Sequence, residues 1–337
     1  MFIRQSILLL LCSTLISAAV HADVNVYSAR KEALIKPLLV KFTEKTGIKV
    51  NLVTGKADTL IKRLEHEGKF SPADLIITTD AGRLFRAKSK QLVQPMQSDI
   101  LDALIPESYR DPEHSWYGLS VRARPIIYHK DHVKPEQLST YEDLANPKWK
   151  QKICIRSSNN IYNQSMLASM IAASSAEQTE QWAKGFVKNF ARPPKGGDRD
   201  QVKAVAAGLC DIAIVNTYYL AQMQHSKDKM QTLAANKVAI FWPNQNDRGS
   251  HVNISGAAIT TSSKHPKEAL KLLEYLAGDD AQSWYANTNQ EYPIRNNIKA
   301  SDILTSWGTF KADQLNLSEL GKRNADAVKI MDRAGWR

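Results

Sequence analysis

Tyrosines are the residues whose placement in this 337-residue chain points most directly to chemistry. Tyr218 and Tyr219 are adjacent and directly follow the β-like run 211–217. In a strand two neighbouring side chains point to opposite faces, but at a strand-to-helix turn they can converge, because successive helical residues differ by about 100°. Tyr162 also follows a β-like run (153–155) and a polar loop, just before a predicted helix. Three phenol groups are therefore expected at one edge of a sheet, where ligands of α/β proteins bind.

Three converging phenol groups have two interpretations. A phenolate is a hard anionic ligand that suits Fe³⁺, whereas Ca²⁺ and Mg²⁺ prefer carboxylates and carbonyls. Because the phenol pKa is ordinarily about 10, coordination near neutral pH requires a strong cation. The alternative is that the rings pack together, stack on a sugar, or form an aromatic box for a small organic ion. Placement alone leaves both interpretations open.

Standard catalytic motifs are missing from the sequence. It contains no GxSxG or GxxxxGK, and His66-Glu67 lacks the second histidine of HExxH. The turn Gly196–Arg199 precedes a predicted helix and could hold an anion, although most such turns are only structural. The protein is predicted not to be an enzyme, and an exported hydrolase is the weakest alternative.

The elements that position the tyrosines alternate between strand and helix patterns. Strands are predicted at 24–27, 48–53 and 74–79, separated by amphipathic helices that end at Gly47 and Gly68. This order is βαβαβ, which indicates a parallel sheet with helices on both faces.

Two long β-like stretches, 116–129 and 253–261, bracket a second α/β segment. They predict two crossings between two lobes, so the fold class is α/β, with each lobe a mixed sheet flanked by helices and two crossing strands as the hinge. Facing lobes would share a ligand cleft. The predicted division is a leader (1–22), an N-lobe (23–122 and 247–298) and a C-lobe (123–246 and 299–337).

The leader has the pattern of a cleavable signal peptide, with Arg4, an apolar stretch over 7–16 and small residues before a cleavage site at Ala22. The rest of the chain is predicted to be exported and not to span a membrane. In that oxidising setting we expect Cys154 and Cys210 to form a disulfide; a bare pair without CxxC spacing is a poor metal site.

The formal net charge is +11. A nucleic-acid partner is not expected, because the basic residues are scattered among acids and do not interleave with aromatic residues. A basic surface facing anionic lipid, or a cleft that binds anions, explains the charge more simply.

Several segments resemble the periplasmic ferric-iron-binding proteins of ABC transporters, and the similarity covers nearly the whole chain after the leader. The Tyr-Tyr pair after an Asn-x turn is its most specific element. The segments are VNVYSARKEALIKPLLVKFTEKTGIKV, SPADLIITTDAGRL, GLSVRARPIIY, CIRSSNNIYNQS, PKGGDRDQVKAVAAGLCDIAIVNTYYL, NISGAAIT and EYPI. The resemblance implies a class II periplasmic binding protein, a hinged two-lobed "Venus flytrap" that binds Fe³⁺ through the phenolates of Tyr162, Tyr218 and Tyr219.

This sequence departs from part of that family in the N-lobe. Where some members have a histidine, or a histidine and a tyrosine, it has Lys31 and Glu32; where others have a glutamate, it has Thr79, followed by Asp80. The pattern matches the subgroup with three tyrosines and a synergistic anion, usually carbonate. The identity of the anion, and whether water or an N-lobe residue completes the coordination shell, stay open.

Three phenolates neutralise Fe³⁺ but fill only half of an octahedron. A bidentate carbonate would add two oxygens and two negative charges, which need cationic neighbours. Arginine suits that task because its planar fork binds two oxygens at once. The predicted anion contacts are Arg30, Lys31, Arg122 and Arg124, with Arg122 favoured. Further candidates are Glu32 as an extra ligand and Asp58, Asn216 and Asp198 as surrounding acceptors.

The predicted function is therefore periplasmic capture of ferric iron and its delivery to an inner-membrane ABC permease and its ATPase. We expect a monomer. The alternative keeps the fold and changes the ligand to a small organic ion held by the tyrosines. The sequence does not decide between ferric iron, ferrous iron and chelated iron as the physiological cargo.

Overall fold

The strands of the protein form two sheets. The computed structural model describes residues 22–337, so all but the last residue of the predicted signal peptide lies outside the described residues. The first sheet has the order β10-β4-β9-β3-β1-β2, and the second has the order β6-β7-β5-β8. The strands are β1 (Val24–Ser28), β2 (Val50–Thr54), β3 (Leu75–Thr79), β4 (Tyr117–Ala123), β5 (Ile126–His129), β6 (Ile153–Cys154), β7 (Ile212–Ile214), β8 (Val238–Phe241), β9 (Val252–Ile259) and β10 (Tyr292–Pro293).

Helices cover both sheets. They are α1 (Glu32–Thr46), α2 (Ala57–Glu67), α3 (Ala81–Ser89), α4 (Asp99–Leu104), α5 (Ile161–Ala173), α6 (Ala176–Lys188), α7 (Asp198–Ala206), α8 (Thr217–Gln224), α9 (Lys229–Asn236), α10 (Pro266–Ala277), α11 (Asp279–Trp284), α12 (Asp302–Ser306), α13 (Ser318–Lys322) and α14 (Asn324–Arg333). A π-helical turn, Tyr285–Asn289, extends α11. We call the part built on the first sheet the N-lobe and the part built on the second the C-lobe.

The predicted βαβαβ start is confirmed, because β1 pairs in parallel with both β2 and β3. Helix α1 buries the apolar face Ile35, Leu38 and Phe42. It ends at Gly47, whose φ of 74° is a left-handed conformation that glycine adopts without steric cost.

The two crossings between the sheets differ in form. The stretch predicted as one β-like run is two strands, β4 in the first sheet and β5 in the second, interrupted at Arg124 and Pro125 because proline has no N–H for a ladder. The second long stretch does not itself cross. Strand β9 lies wholly in the first sheet, and the irregular segment 242–251 makes the crossing before it.

The C-terminal helices contact both lobes. Helix α13 packs against α3 of the N-lobe and α5 of the C-lobe, and α14 packs against α5 and α6. The end of the chain therefore lies over both lobes beside α5, the helix that begins with Ile161 and Tyr162.

The predicted disulfide is confirmed. Cys154 at the end of β6 is bonded to Cys210 just before β7, with 5.8 Å between their Cα atoms. The two strands are parallel neighbours, so the bond joins the segments that lead to Tyr162 and to Tyr218 and Tyr219. Within residues 22–337, no helix has the length and apolar character needed to cross a membrane.

Candidate metal centre

The three predicted tyrosines meet in one cavity. The Oη atoms of Tyr218 and Tyr162 are 3.3 Å apart, and the rings of Tyr218 and Tyr219 have centroids 4.2 Å apart. All three side chains line a cavity of about 460 Å³ that is walled by residues from both lobes.

Two neighbouring strands explain why these tyrosines meet. Tyr162 is the second residue of α5, which follows β6, and Tyr218 is the second residue of α8, which follows β7. Because β6 and β7 are parallel, their carboxyl ends lie at the same sheet edge. The side chain of Asn160 accepts a hydrogen bond from the Tyr162 N–H at 3.2 Å and caps the start of α5.

The phenol groups of Tyr218 and Tyr219 hold their protons more strongly than an ordinary phenol, because the pKa of each is raised. Burial, and then the proximity of Tyr162 and Tyr219, raise the pKa of Tyr218 well above its ordinary value. Burial, and then Tyr162 and Asp198, raise the pKa of Tyr219 to about 12. A ligand that uses their phenolates must therefore supply enough positive charge to displace these protons.

Four guanidinium groups surround the rings. Those of Arg122, Arg124 and Arg156 lie 5.7, 6.0 and 5.6 Å from the centroid of the Tyr162 ring. Arg199 lies 5.2 Å from the ring of Tyr219. This arrangement stabilises phenolate charge and any further anion bound beside it.

Asp198 organises two of these arginines. Its buried carboxylate accepts hydrogen bonds from Arg156 Nη1 at 2.8 Å, from Arg124 Nη1 at 3.4 Å and from the Asn216 N–H at 2.7 Å. Arg124 also donates to the side-chain oxygens of Asn216, at 3.2 Å, and of Asn163. Asp198 and Asn216 thus lie behind the tyrosines and link α7 to the start of α8.

The N-lobe wall carries Arg30, Lys31, Arg122 and Glu291. Arg30 is paired with the buried carboxylate of Glu291, with Nη2–Oε2 at 2.7 Å and Nη1–Oε1 at 3.3 Å. Burial opposes the charge of Glu291, but Arg30 and Arg122 hold its pKa below the usual range. Lys31 is exposed at the start of α1. With Arg199, the described residues that line the cavity include four cationic side chains and one carboxylate.

Five of the predicted site residues do not line the cavity: Asp198 and Asn216, which lie behind the tyrosines, and Glu32, Asp58 and Arg124. Glu32 is exposed and forms an ion pair with Lys36, with Oε1–Nζ at 2.7 Å. Asp58 on α2 is half exposed and pairs with Arg83 and Arg86. Arg124 faces the C-lobe network, whereas Arg122, whose guanidinium donates to Ser255 Oγ and the Ile254 carbonyl, lines the cavity.

Sequence reasoning missed Glu291, Arg156, Arg199, Gln222 and Asn289. Arg199 follows the Gly-Gly-Asp turn already noted as a possible anion site, and Arg156 follows β6 in the polar loop before Tyr162. Nothing in the spacing of Gln222, Asn289 or Glu291 signals a site, because tertiary packing brings them to the cavity.

The donor set fits a hard, highly charged cation together with an anion. Phenolate oxygens would neutralise such a cation, and the surplus of cationic side chains would favour a second, anionic ligand. Among the described residues no cluster of three or more His, Cys, Asp or Glu side chains forms a competing metal site.

Comparison with protein families matches residues 70–312 to the model described as bacterial extracellular solute-binding protein. Iron uptake protein A1 of Synechocystis sp. is 46% identical over 315 residues, which cover 94% of this chain and 88% of that protein.

Solved structures are also similar over nearly the whole chain. A Trichodesmium protein in complex with iron and citrate ligands has a TM-score of 0.92 and 50% identity, over 94% of this chain and 100% of that one. The ferric iron-binding protein A of Mannheimia haemolytica, in an open conformation, has a TM-score of 0.88 and 41% identity, over 94% and 99%.

Proposed function

The chain belongs to the bacterial extracellular solute-binding protein family, and we propose that it is a periplasmic carrier of ferric iron. The observation that carries the proposal is the convergence of Tyr162, Tyr218 and Tyr219 in one cavity walled by both lobes. The similarity to proteins named for iron uptake and for ferric iron supports it. In this proposal Fe³⁺ is the cargo and the three phenolates are its protein ligands.

An oxyanion would complete the coordination shell. The charges on the N-lobe wall support this. The carboxylate of Glu291 is balanced by its ion pair with Arg30, and Lys31 adds a positive charge. A bidentate carbonate would add two oxygens to the three phenolates. Arg122, Lys31 and Arg199 would balance its charge, with Arg122 as the favoured contact.

The two-lobed fold also suggests how the protein would carry iron. We propose that the leader directs export, that the lobes close about the iron, and that the closed protein delivers it to an inner-membrane ABC permease with its ATPase. Hinge closure about a ligand is a recurring response of two-lobed binding proteins. We expect the protein to work as a monomer.

A visible spectrum with metal analysis of the purified protein tests the proposal. Phenolate-to-iron charge transfer should colour the loaded protein orange-red, and Tyr218→Phe and Tyr219→Phe should each shift or abolish the band. Tyr275→Phe is a matched control, because the Tyr275 hydroxyl is buried, has no hydrogen-bond partner within residues 22–337 and does not line the cavity. A colourless protein that takes up no iron would refute the proposal and favour the small organic ion.

A further inference from the structure

The side-chain amide of Asn289 is buried at the tyrosine cavity, and its role there is unexplained. Asn289 ends the π-helical turn in the N-lobe, is 1% exposed, and lines the cavity with the three tyrosines. Neither its Nδ2 nor its Oδ1 has a hydrogen-bond partner in the described part of the chain. A buried amide with both groups unpaired is costly, and an apolar side chain of the same shape would avoid that cost.

The backbone of Asn289 is held in place from the opposite lobe. Gln222 on α8 donates from Nε2 to the Asn289 carbonyl at 3.3 Å, and Arg199 Nη2 donates to Gln222 Oε1 at 2.6 Å. Arg199 in turn lies over the ring of Tyr219. This chain of contacts connects the free amide of Asn289 to the tyrosine wall across the cavity.

The surrounding charges indicate what the amide binds. Lys31 and Arg122 line the same cavity, and Arg122 Nε is also buried without a partner in residues 22–337. Ala33 lines the cavity from the first turn of α1, a 15-residue helix whose N-terminal N–H groups receive no side-chain cap from the described part of the chain. Unpaired donors and positive charge on one wall favour an anionic ligand.

We infer that Asn289 binds the iron-bound oxyanion and selects an oxyanion that carries a hydroxyl group; this inference rests on the proposed function. Its Nδ2 donates to an anionic oxygen, and its Oδ1 accepts from the hydroxyl. Fully deprotonated carbonate would satisfy only the donor. Hydrogencarbonate and an α-hydroxycarboxylate such as citrate both present an anionic oxygen and a hydroxyl. Asn289 is thus a specificity-determining residue contributed by the N-lobe.

Iron titrations in competition with nitrilotriacetate, in buffer purged of carbon dioxide, test the inference. Four conditions are compared: no added anion, hydrogencarbonate, citrate, and oxalate, which has no hydroxyl group. In the wild type, hydrogencarbonate or citrate should tighten iron binding more than oxalate does, and whichever is effective identifies the source of the oxyanion.

Asn289→Leu should lose about tenfold or more of that enhancement, since a hydrogen bond to a charged ligand is among the stronger ones. Asn287→Leu, on the same turn but exposed, is the matched control and should behave as wild type. If Asn289→Leu does not fold, Asn289→Asp keeps the shape, replaces the donor by a negative charge, and should lose the enhancement equally.

Full enhancement in both Asn289 variants would overturn the inference, and so would equal enhancement of the wild type by oxalate. Failure of the proposed function looks different, because the wild type itself would then show no phenolate-to-iron band under any of the four conditions.

Discussion

At the scale of single residues, Asp198 orients the side chains around the site, and the tyrosine hydroxyls set how its iron affinity should depend on pH. Asp198 is fully buried, and its carboxylate holds Arg156, Arg124 and the N–H of Asn216. The tyrosines are held in turn by the starts of α5 and α8. A buried carboxylate with three donors orients its neighbours, and its removal leaves buried positive charge uncompensated.

Asp198→Asn should therefore destabilise the protein. The amide keeps one acceptor but loses the charge that compensates Arg124 and Arg156, so we expect the free energy of unfolding to fall by about 3 kcal/mol. Urea denaturation measures it. Asp200→Asn is the matched control, because Asp200 lies on the same helix but is exposed, and it should change the value by less than about 1 kcal/mol. Equal losses in both variants would show that Asp198 has no special role.

Iron affinity should decrease as the pH falls. Because the pKa values of Tyr218 and Tyr219 are raised, both phenols carry protons in the metal-free protein at neutral pH, and binding through phenolates releases them. Lower pH opposes that release, so the apparent affinity should drop by about one to three decades per pH unit. Equilibrium titration between pH 8 and pH 5, followed by the visible band, measures the slope. Retention that does not vary with pH would contradict phenolate coordination.

At the scale of elements, the site depends on where helices begin. Helices α5 and α8 start after the parallel neighbours β6 and β7, so three tyrosines from distant parts of the chain reach one sheet edge. The disulfide joins the same two strands from behind. A tight contact between α13 and α3 holds the C-terminal segment against the N-lobe.

Removing the disulfide should lower stability. Cys154 and Cys210 are 56 residues apart, and closure of a loop of that length contributes about 4 kcal/mol in the chain-entropy model. The double variant Cys154→Ala with Cys210→Ala should lose about 2–4 kcal/mol in urea denaturation. A loss below about 1 kcal/mol would show that packing alone holds β6 beside β7.

Gly321→Ala should disturb the contact between α13 and α3. A methyl group at Gly321 would overlap the Phe85 side chain, so α13 would have to move away from the N-lobe. Overpacking of this kind costs about 1–3 kcal/mol. Thermal unfolding measures the loss, and an unchanged melting temperature would show that the C-terminal segment adapts freely.

At the scale of the whole molecule, the cavity is formed between the two lobes. Residues of both lobes wall it, and Gln222 of the C-lobe bonds to Asn289 of the N-lobe across it. A relative solved in an open conformation has the same fold at a TM-score of 0.88. Binding and closure are therefore expected to be coupled.

Small-angle X-ray scattering should detect that coupling. A compact chain of this length has a radius of gyration of about 20 Å, and the metal-free protein should exceed the value of the iron-loaded one. Iron with hydrogencarbonate should contract the wild type, because ligands from both lobes are engaged. The double variant Tyr218→Phe with Tyr219→Phe should not contract under the same conditions. Identical profiles of the wild type with and without iron would contradict closure.

Local patterns in the sequence predict much of the fold and part of the candidate site. The βαβαβ start, the helix end at Gly47 and the placement of three tyrosines after strands depend on residues near one another in the chain. The disulfide joins residues 56 positions apart, and it is predicted because an exported chain with two cysteines usually pairs them. The resemblance to periplasmic ferric-iron-binding proteins is confirmed by the comparisons. The lobe boundaries and the roles of individual site residues remain predictions.

The sequence by itself therefore determined the class of protein and the placement of three tyrosines at one sheet edge. Tertiary structure alone decided which charges face them. It paired Arg30 with Glu291, placed Arg122 on the cavity and Arg124 behind it, and left the side-chain amide of Asn289 without a partner among residues 22–337. The physical reason is distance along the chain. Periodicity and turn chemistry act over a few residues, whereas these contacts join residues up to 261 positions apart and depend on how the two lobes pack.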